Sequence, residues 1–192
     1  DDTADPALIA ADLLAQAEHD PDALPILVTT NGELAKAVDG ELRRQLRDLP
    51  TAGIATASLA NGFMVLAADL DEAIAVCNRL APEHLAVVTA NADTVAKELH
   101  NFGALFIGTH AAEVLGDYGA GPNHVLPTGG TARSTGGLSV LTFLRVRTEL
   151  RIDDPGMAAE LLDDAIALAR LEGLEAHARS GAARSALRQS GA

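Results

Sequence analysis

Through the first hundred residues, short apolar runs alternate with longer stretches of helical periodicity, and few folds accommodate that alternation. Asp5 can cap a helix running to about His19, with Pro6 in a first turn that has no use for its missing amide. The β-branched run Ile26–Thr29 predicts a strand. Glu33 to Arg47 then predicts a helix, with Leu34, Val38, Leu42 and Leu46 at helical spacing. Phe63–Ala67 reads as a buried strand, and Asp71–Leu80 as a helix with Leu70, Ile74, Cys77 and Ala81 on one side. Leu85–Thr89 is strand-like, Asp93 caps a short helix to Leu99, and Ala104–Ile107 is a further strand. Strands separated by helices of this length predict an α/β fold, a largely parallel sheet with flanking helices.

From Gly116 to Gly137 the periodicity stops. Seven of the chain's 17 glycines and two prolines fall within these 22 residues, a composition suited to a loop folded tightly round a ligand. Leu138 to Ile152 regains structure. Asp154-Pro155 starts a helix through Leu171 that Gly173 is placed to end. Arg179, Arg184 and Arg188 then mark an exposed tail. The domain reading is an α/β portion over 1–138 and a small, mainly helical tail domain over 139–192.

Composition narrows the function. Fourteen basic against 27 acidic residues give a net charge of −13, and there is no Trp and one Tyr. Nucleic-acid binders carry a basic footprint or a stacking platform, so nucleic acid is not an expected partner. A single Cys excludes an internal disulfide, and no apolar run approaches the roughly 18 residues of a membrane span. No signal segment opens the sequence, and the expected setting is cytoplasmic. A helix start so soon after Asp1 suggests a piece of something longer.

Several familiar nucleotide and metal signatures fail. Gly119-Ala120-Gly121-Pro122-Asn123-His124 begins like a dinucleotide fingerprint, but His stands in place of the third Gly, and the strand and helix are missing. There is no Gly-Lys-Ser/Thr phosphate loop and no His-Glu-x-x-His helix. Four other groupings could carry chemistry. Gln16 and His19, three apart, share a helix face, although a histidine near a helix C-terminus also has a plain dipole role. Glu83-His84 lies at a helix-to-strand junction, where it could bring two titrating groups to one cleft or be a solvated acid beside a structural His. Asp117 and His124 share the glycine-rich loop, as metal or substrate contacts or as turn residues. Glu172 and His177 flank the end of the last long helix, where surface residues are equally at home. Cys77 reads as packing, and His100 and His110 show no partner pattern.

Taken together, these segments resemble histidinol dehydrogenases. The resemblance rests on Ala81-Pro82-Glu83-His84-Leu85, on Gly119 through Arg133 with its Gly-Pro-Asn-His-Val-Leu-Pro-Thr-Gly-Gly-Thr-Ala-Arg, and on Gly137-Leu138-Ser139-Val140. Asp12-Leu13-Leu14-Ala15-Gln16-Ala17-Glu18-His19 and Glu172-Gly173-Leu174-Glu175-Ala176-His177 add to it in the same order. Ser134 departs from the family, which often has an aromatic there. The resemblance implies a zinc-dependent oxidation of L-histidinol to L-histidine through L-histidinal, with two NAD, in histidine biosynthesis. It implies Gln16, His19, Asp117 and His177 as zinc ligands and Glu83 and His84 as the acid–base pair. His124 and Glu172 would contact substrate, together with Gln16, His19, His84, Asp117 and His177. The resemblance further implies a homodimer whose tail reaches the neighbouring active site. The NAD site would lie mainly in an amino-terminal portion absent here, on the same polypeptide or on a companion chain. The alternatives are a non-catalytic dimerisation or metal-binding fragment of that fold, and a zinc lyase or hydrolase without nucleotide.

Overall fold

The computed structural model describes residues 1–154 and 156–189, with side chains to 186. They form two compact units, Asp1–Leu144 and Arg145–Ala192. Among the described residues, no helix is long and apolar enough to cross a membrane.

The first unit opens with α1 (Pro6–Ala17), where the Ala7 N–H donates to Asp5 Oδ1 at 2.8 Å. β1 (Ile26–Thr29) follows, then α2 (Gly32–Gln45), capped by Asn31, which accepts from the Glu33 and Leu34 amides at 2.9 and 3.2 Å. The stripe at helical spacing becomes core: Leu34, Val38 and Leu42 of α2 pack with Ala10, Leu14 and Ala17 of α1. Each large aliphatic side chain buried this way contributes roughly 1.5–3 kcal/mol. Ala55, on a helix α3 (Ala52–Leu59) that the periodicity does not announce, closes this core with Leu27 of β1. α3 has little amphipathic contrast, because Ala, Gly and Ser supply most of its faces.

The strands are parallel, but among the described residues they form two separate pairs. β2 (Phe63–Leu66) lies beside β1 with Ile26 opposite Phe63, and β3 (His84–Val87) lies beside β4 (Ala104–Ile107) with His84 opposite Ala104. β2 is not the buried strand its sequence predicts. Phe63, Met64 and Leu66 are exposed and Val65 is half-buried; successive side chains point to opposite faces, so neither face of β2 is fully covered. α4 (Leu70–Leu80) links the pairs, capped by Asp69, which accepts from the Glu72 amide at 2.8 Å. Asp93 does not cap α5 (Ala92–Glu98): Asn91 holds the cap position, and Asp93 sits in the first turn, where its charge still suits the helix dipole.

Beyond β4, order becomes local. α6 is one short turn (Val114–Asp117), and Leu138–Ile152 holds only a 3₁₀ turn over Val140–Phe143. That stretch regains less structure than its apolar residues suggest, since most of its large side chains are exposed and have no packing to order them.

The second unit is a helical hairpin of α7 (Ala159–Leu171) and α8 (Glu175–Gln189). The expected start at Asp154-Pro155 falls partly outside the described residues, and α7 itself begins at Ala159. Gly173 ends it as expected, at φ +77°. The Gly173 amide donates to the Arg170 carbonyl at 3.0 Å, and the Leu174 amide donates to the Ala169 carbonyl at 2.7 Å. The segment read as an exposed tail is a helix with one side packed on α7; Arg179 and Arg184 are exposed as expected, and the side chain of Arg188 lies outside the described residues. Ala178, Gly181, Ala182 and Ser185 recur at helical spacing as a flat face of small residues, with Ala178 fully buried. A Cβ on Gly181 would come within 2.7 Å of Ile166 Cγ1, so the helices approach as closely as a missing side chain allows.

Candidate active site

The site is built where α4 gives way to β3. α4 stops at Ala81, which is fully buried at φ +50°, a left-handed conformation costing an L-residue roughly 1–2 kcal/mol. Pro82 prevents the helix from resuming. The next carbonyls are then held by β4: the Gly103 amide donates to Pro82 O at 2.9 Å and the Ala104 amide to Glu83 O at 2.8 Å. Gly103 is needed for that approach, because a Cβ there would lie 2.5 Å from Glu83 O. Asn78 of α4 ties down the connection from α5 to β4, accepting from the His100 amide at 2.7 Å and donating to Glu98 O at 2.9 Å. Glu83 is therefore held half-buried at the strand entrance, and His84 is the first residue of β3.

The His84 ring enters a small acidic enclosure. Its Nδ1 lies 3.0 Å from Oε1 of Glu113, with side-chain exposures of 17% and 9%. The approach is close but off the line of a good hydrogen bond, so Glu113 Oε1 is buried without an aligned donor. The Phe106 ring of β4 lies tilted beside the imidazole, with centroids 5.9 Å apart. Burial, the largest influence, lowers the imidazole pKa; together Glu113, Glu83 and Asp117 more than offset it, so the value stands above its ordinary one.

Glu113 is absent from the sequence reading. It stands just before α6, and nothing local in the chain ties it to His84. The one available hint is its spacing from Asp117, which puts two carboxylates one helical turn apart at the entrance to the glycine-rich loop.

α1 approaches from another direction. Asp12 has its carboxyl raised above the ordinary value, first by burial and then by the charge of Glu113. Asp12, Gln16 and His19 follow one another at i, i+4 and i+7, so the side of α1 that senses Glu113 is the side carrying Gln16. Gln16 is half-buried, and His19 is exposed in the turn after the helix, its amide donating to Gln16 O at 3.3 Å. Asp117, at the end of α6, is half-buried and close enough to influence His84. An amide oxygen, an imidazole and a carboxylate form a mixed N/O set that zinc accepts. They stand on two segments that both approach Glu113, but they are not drawn into a closed cage. No cluster of three or more His, Cys, Asp or Glu suited to a metal ion occurs among the described residues.

Of the other candidates in the first unit, His124 does not join this group. His124 is exposed on a loop organised by its neighbour: Asn123 Nδ2 donates to Leu138 O at 2.9 Å, and Asn123 Oδ1 accepts from the Val125 amide at 2.8 Å. Arg133 pins the loop to α4 through the carbonyl of Arg79. In the second unit, Glu172 caps α7 and His177 lies in the first turn of α8, both exposed. Burial raises the Cys77 thiol pKa, as suits a packed side chain rather than a nucleophile.

The sequence model of the histidinol dehydrogenase family matches residues 1–185. The chain belongs to the histidinol dehydrogenase family. It is 55% identical over 185 residues to a histidinol dehydrogenase of Nitratidesulfovibrio vulgaris, a match covering 96% of this chain and 42% of that relative. With a histidinol dehydrogenase of Thermus thermophilus it shares 48% identity over 180 residues, 94% of this chain and 43% of the other. The crystal structure of histidinol dehydrogenase from Elizabethkingia anophelis superposes with a TM-score of 0.89 at 32% identity, over 99% of this chain and 43% of that one. The chain thus spans less than half the length of these histidinol dehydrogenases.

Proposed function

We propose that this chain supplies catalytic and zinc-binding residues for oxidation of L-histidinol to L-histidine through L-histidinal, the closing steps of histidine biosynthesis, with two NAD as hydride acceptors. The observation that carries this reading is the enclosed His84 imidazole beside Glu83 and among further carboxylates, in a chain of this family.

His84 would take the alcohol proton, with NAD when bound supplying the hydride acceptor, and a ring pKa above the usual value favours that acceptance. Glu83 then withdraws a proton from the water that adds to the aldehyde, and the pair assists departure of the second hydride. Gln16, His19, Asp117 and His177 would hold zinc, which supplies a fixed anchor for the substrate's imidazole and amine and no redox chemistry. His124 and Glu172 would complete the contacts to substrate. The NAD site would lie mainly in the part of the family's sequence preceding residue 1, on the same polypeptide or a companion chain. In this reading residues 1–138 are the catalytic portion, 139–192 mediate dimerisation, and the protein works in the cytoplasm.

A homodimer has support in exposed apolar side chains. Val140, Leu141, Phe143, Val146 and Leu150 all stand in solvent, a larger run than soluble monomers usually show. In the complete protein, Glu83→Gln and His84→Asn are expected to lower kcat by about 10²–10⁴-fold with zinc content unchanged. Loss of metal rather than rate would overturn the assigned roles. Mixing Asp117→Ala and His177→Ala subunits tests the shared site, since one site of the heterodimer would regain all four ligands. Stable heterodimers that stay as inactive as their parents would refute a His177 acting across the interface.

A further inference from the structure

We propose that Glu113 is the positioning residue for His84: its carboxylate accepts from the ring Nδ1–H, fixes the tautomer and leaves Nε2 as the nitrogen that exchanges the proton. The inference rests on the reading of His84 as an acid–base group and adds a residue to it. Geometry carries it. Glu113 Oε1 is buried, lies 3.0 Å from Nδ1 and has no aligned donor among the described residues, so a small turn of the ring satisfies an oxygen that is otherwise orphaned. Phe106 restrains the ring on the β4 side, and the backbone of His84 is held in the β3–β4 ladder. An imidazole with one nitrogen committed to a carboxylate has only one way to take up and return a proton. The charged groups that act on the ring are Glu113, Glu83 and Asp117, and Asp12 of α1 is close enough to Glu113 to feel its charge. The raised imidazole pKa agrees with this placement.

The test is made in the complete protein, with kcat, KM, metal content and the pH dependence of kcat/KM measured for Glu113→Gln, Glu113→Asp and His84→Asn. Removing the charge of Glu113 removes an attraction that raises the imidazole, so the limb requiring unprotonated His84 should move to lower pH. For Glu113→Gln, kcat should fall about 10- to 100-fold, less than for His84→Asn, with KM within about twofold and zinc content unchanged. Glu113→Asp keeps the charge but withdraws the oxygen. Its limb should stay near that of the parent while kcat falls several-fold, and this result is available even if the Gln variant does not fold. An unmoved limb in Glu113→Gln, or an unchanged kcat in Glu113→Asp, overturns the proposal. If His84→Asn is itself fully active, the reading of His84 fails first, and the two failures are told apart.

Discussion

Val38 of α2 is fully buried, whereas Val146, beyond the glycine-rich loop, is 96% exposed. The two valines represent their regions. In residues 1–60 the apolar stripes of α1 and α2 close on each other and on Ala55, so that part of the chain satisfies its own hydrophobic surface. From Val140 to Leu171 the side chains are just as apolar, yet Phe143, Leu150, Met157 and Leu171 stand in water. Transfer free energy is the same per unit area in both regions, so composition cannot tell a core from a surface awaiting a partner. What separates them is the presence of a second layer.

That contrast can be broken or sharpened by substitution in the complete protein. The largest effect is expected inside the first region. Leu42→Ala removes a buried side chain between α1 and α2 and should cost about 2–5 kcal/mol in denaturant unfolding. A loss under about 1 kcal/mol would mean that the α1–α2 interface is not the core described. Gly181→Val probes the close approach of α8 to α7 at Ile166. Its side chain would overlap Ile166 and should cost about 1–3 kcal/mol, while Ser180→Ala on the exposed side of α8 should be nearly neutral. If Gly181→Val melts like the parent, α8 does not pack on α7 through this face.

Gly173→Ala should cost about 1 kcal/mol, because alanine must adopt φ +77° to keep the two closing hydrogen bonds of α7. Asp12→Asn is expected to be smaller and of opposite sign near neutral pH. The folded carboxyl has a raised pKa, so its contribution favours folding below the unfolded value, near 4, and is lost as pH rises through the folded value. The Asn variant should therefore gain stability at pH 7, and the gain should vanish below about pH 4. A pH-independent difference would show that neither burial nor Glu113 raises the Asp12 carboxyl in the folded chain. Val146→Ser comes last for stability, within about 0.5 kcal/mol for the dissociated chain, but it should weaken self-association in sedimentation runs. Unchanged association would place the dimer contact elsewhere.

The chain's own letters determined whatever depends on near neighbours. Asp5, Asn31 and Asp69 are polar caps whose side chains accept amide hydrogen bonds in their own first turns, and Gly173 ends α7 because φ is a property of one residue. The strand segments, the stripe through Leu34, Val38 and Leu42, and the Glu83-His84 junction were legible for the same reason, and the helices between strands pointed to parallel pairing. Tertiary structure alone decided what lies across space. It set Glu113 against His84, turned the side of α1 that carries Asp12 and Gln16 toward Glu113, left β2 largely exposed and packed the arginine-bearing segment onto α7 as α8. A carboxylate far along the chain finds an imidazole only after β4 has aligned with β3 and the turn of α6 has formed, and no local pattern encodes that meeting. Small residues likewise read as weak helix or loop until a neighbouring helix arrives to use the space they leave.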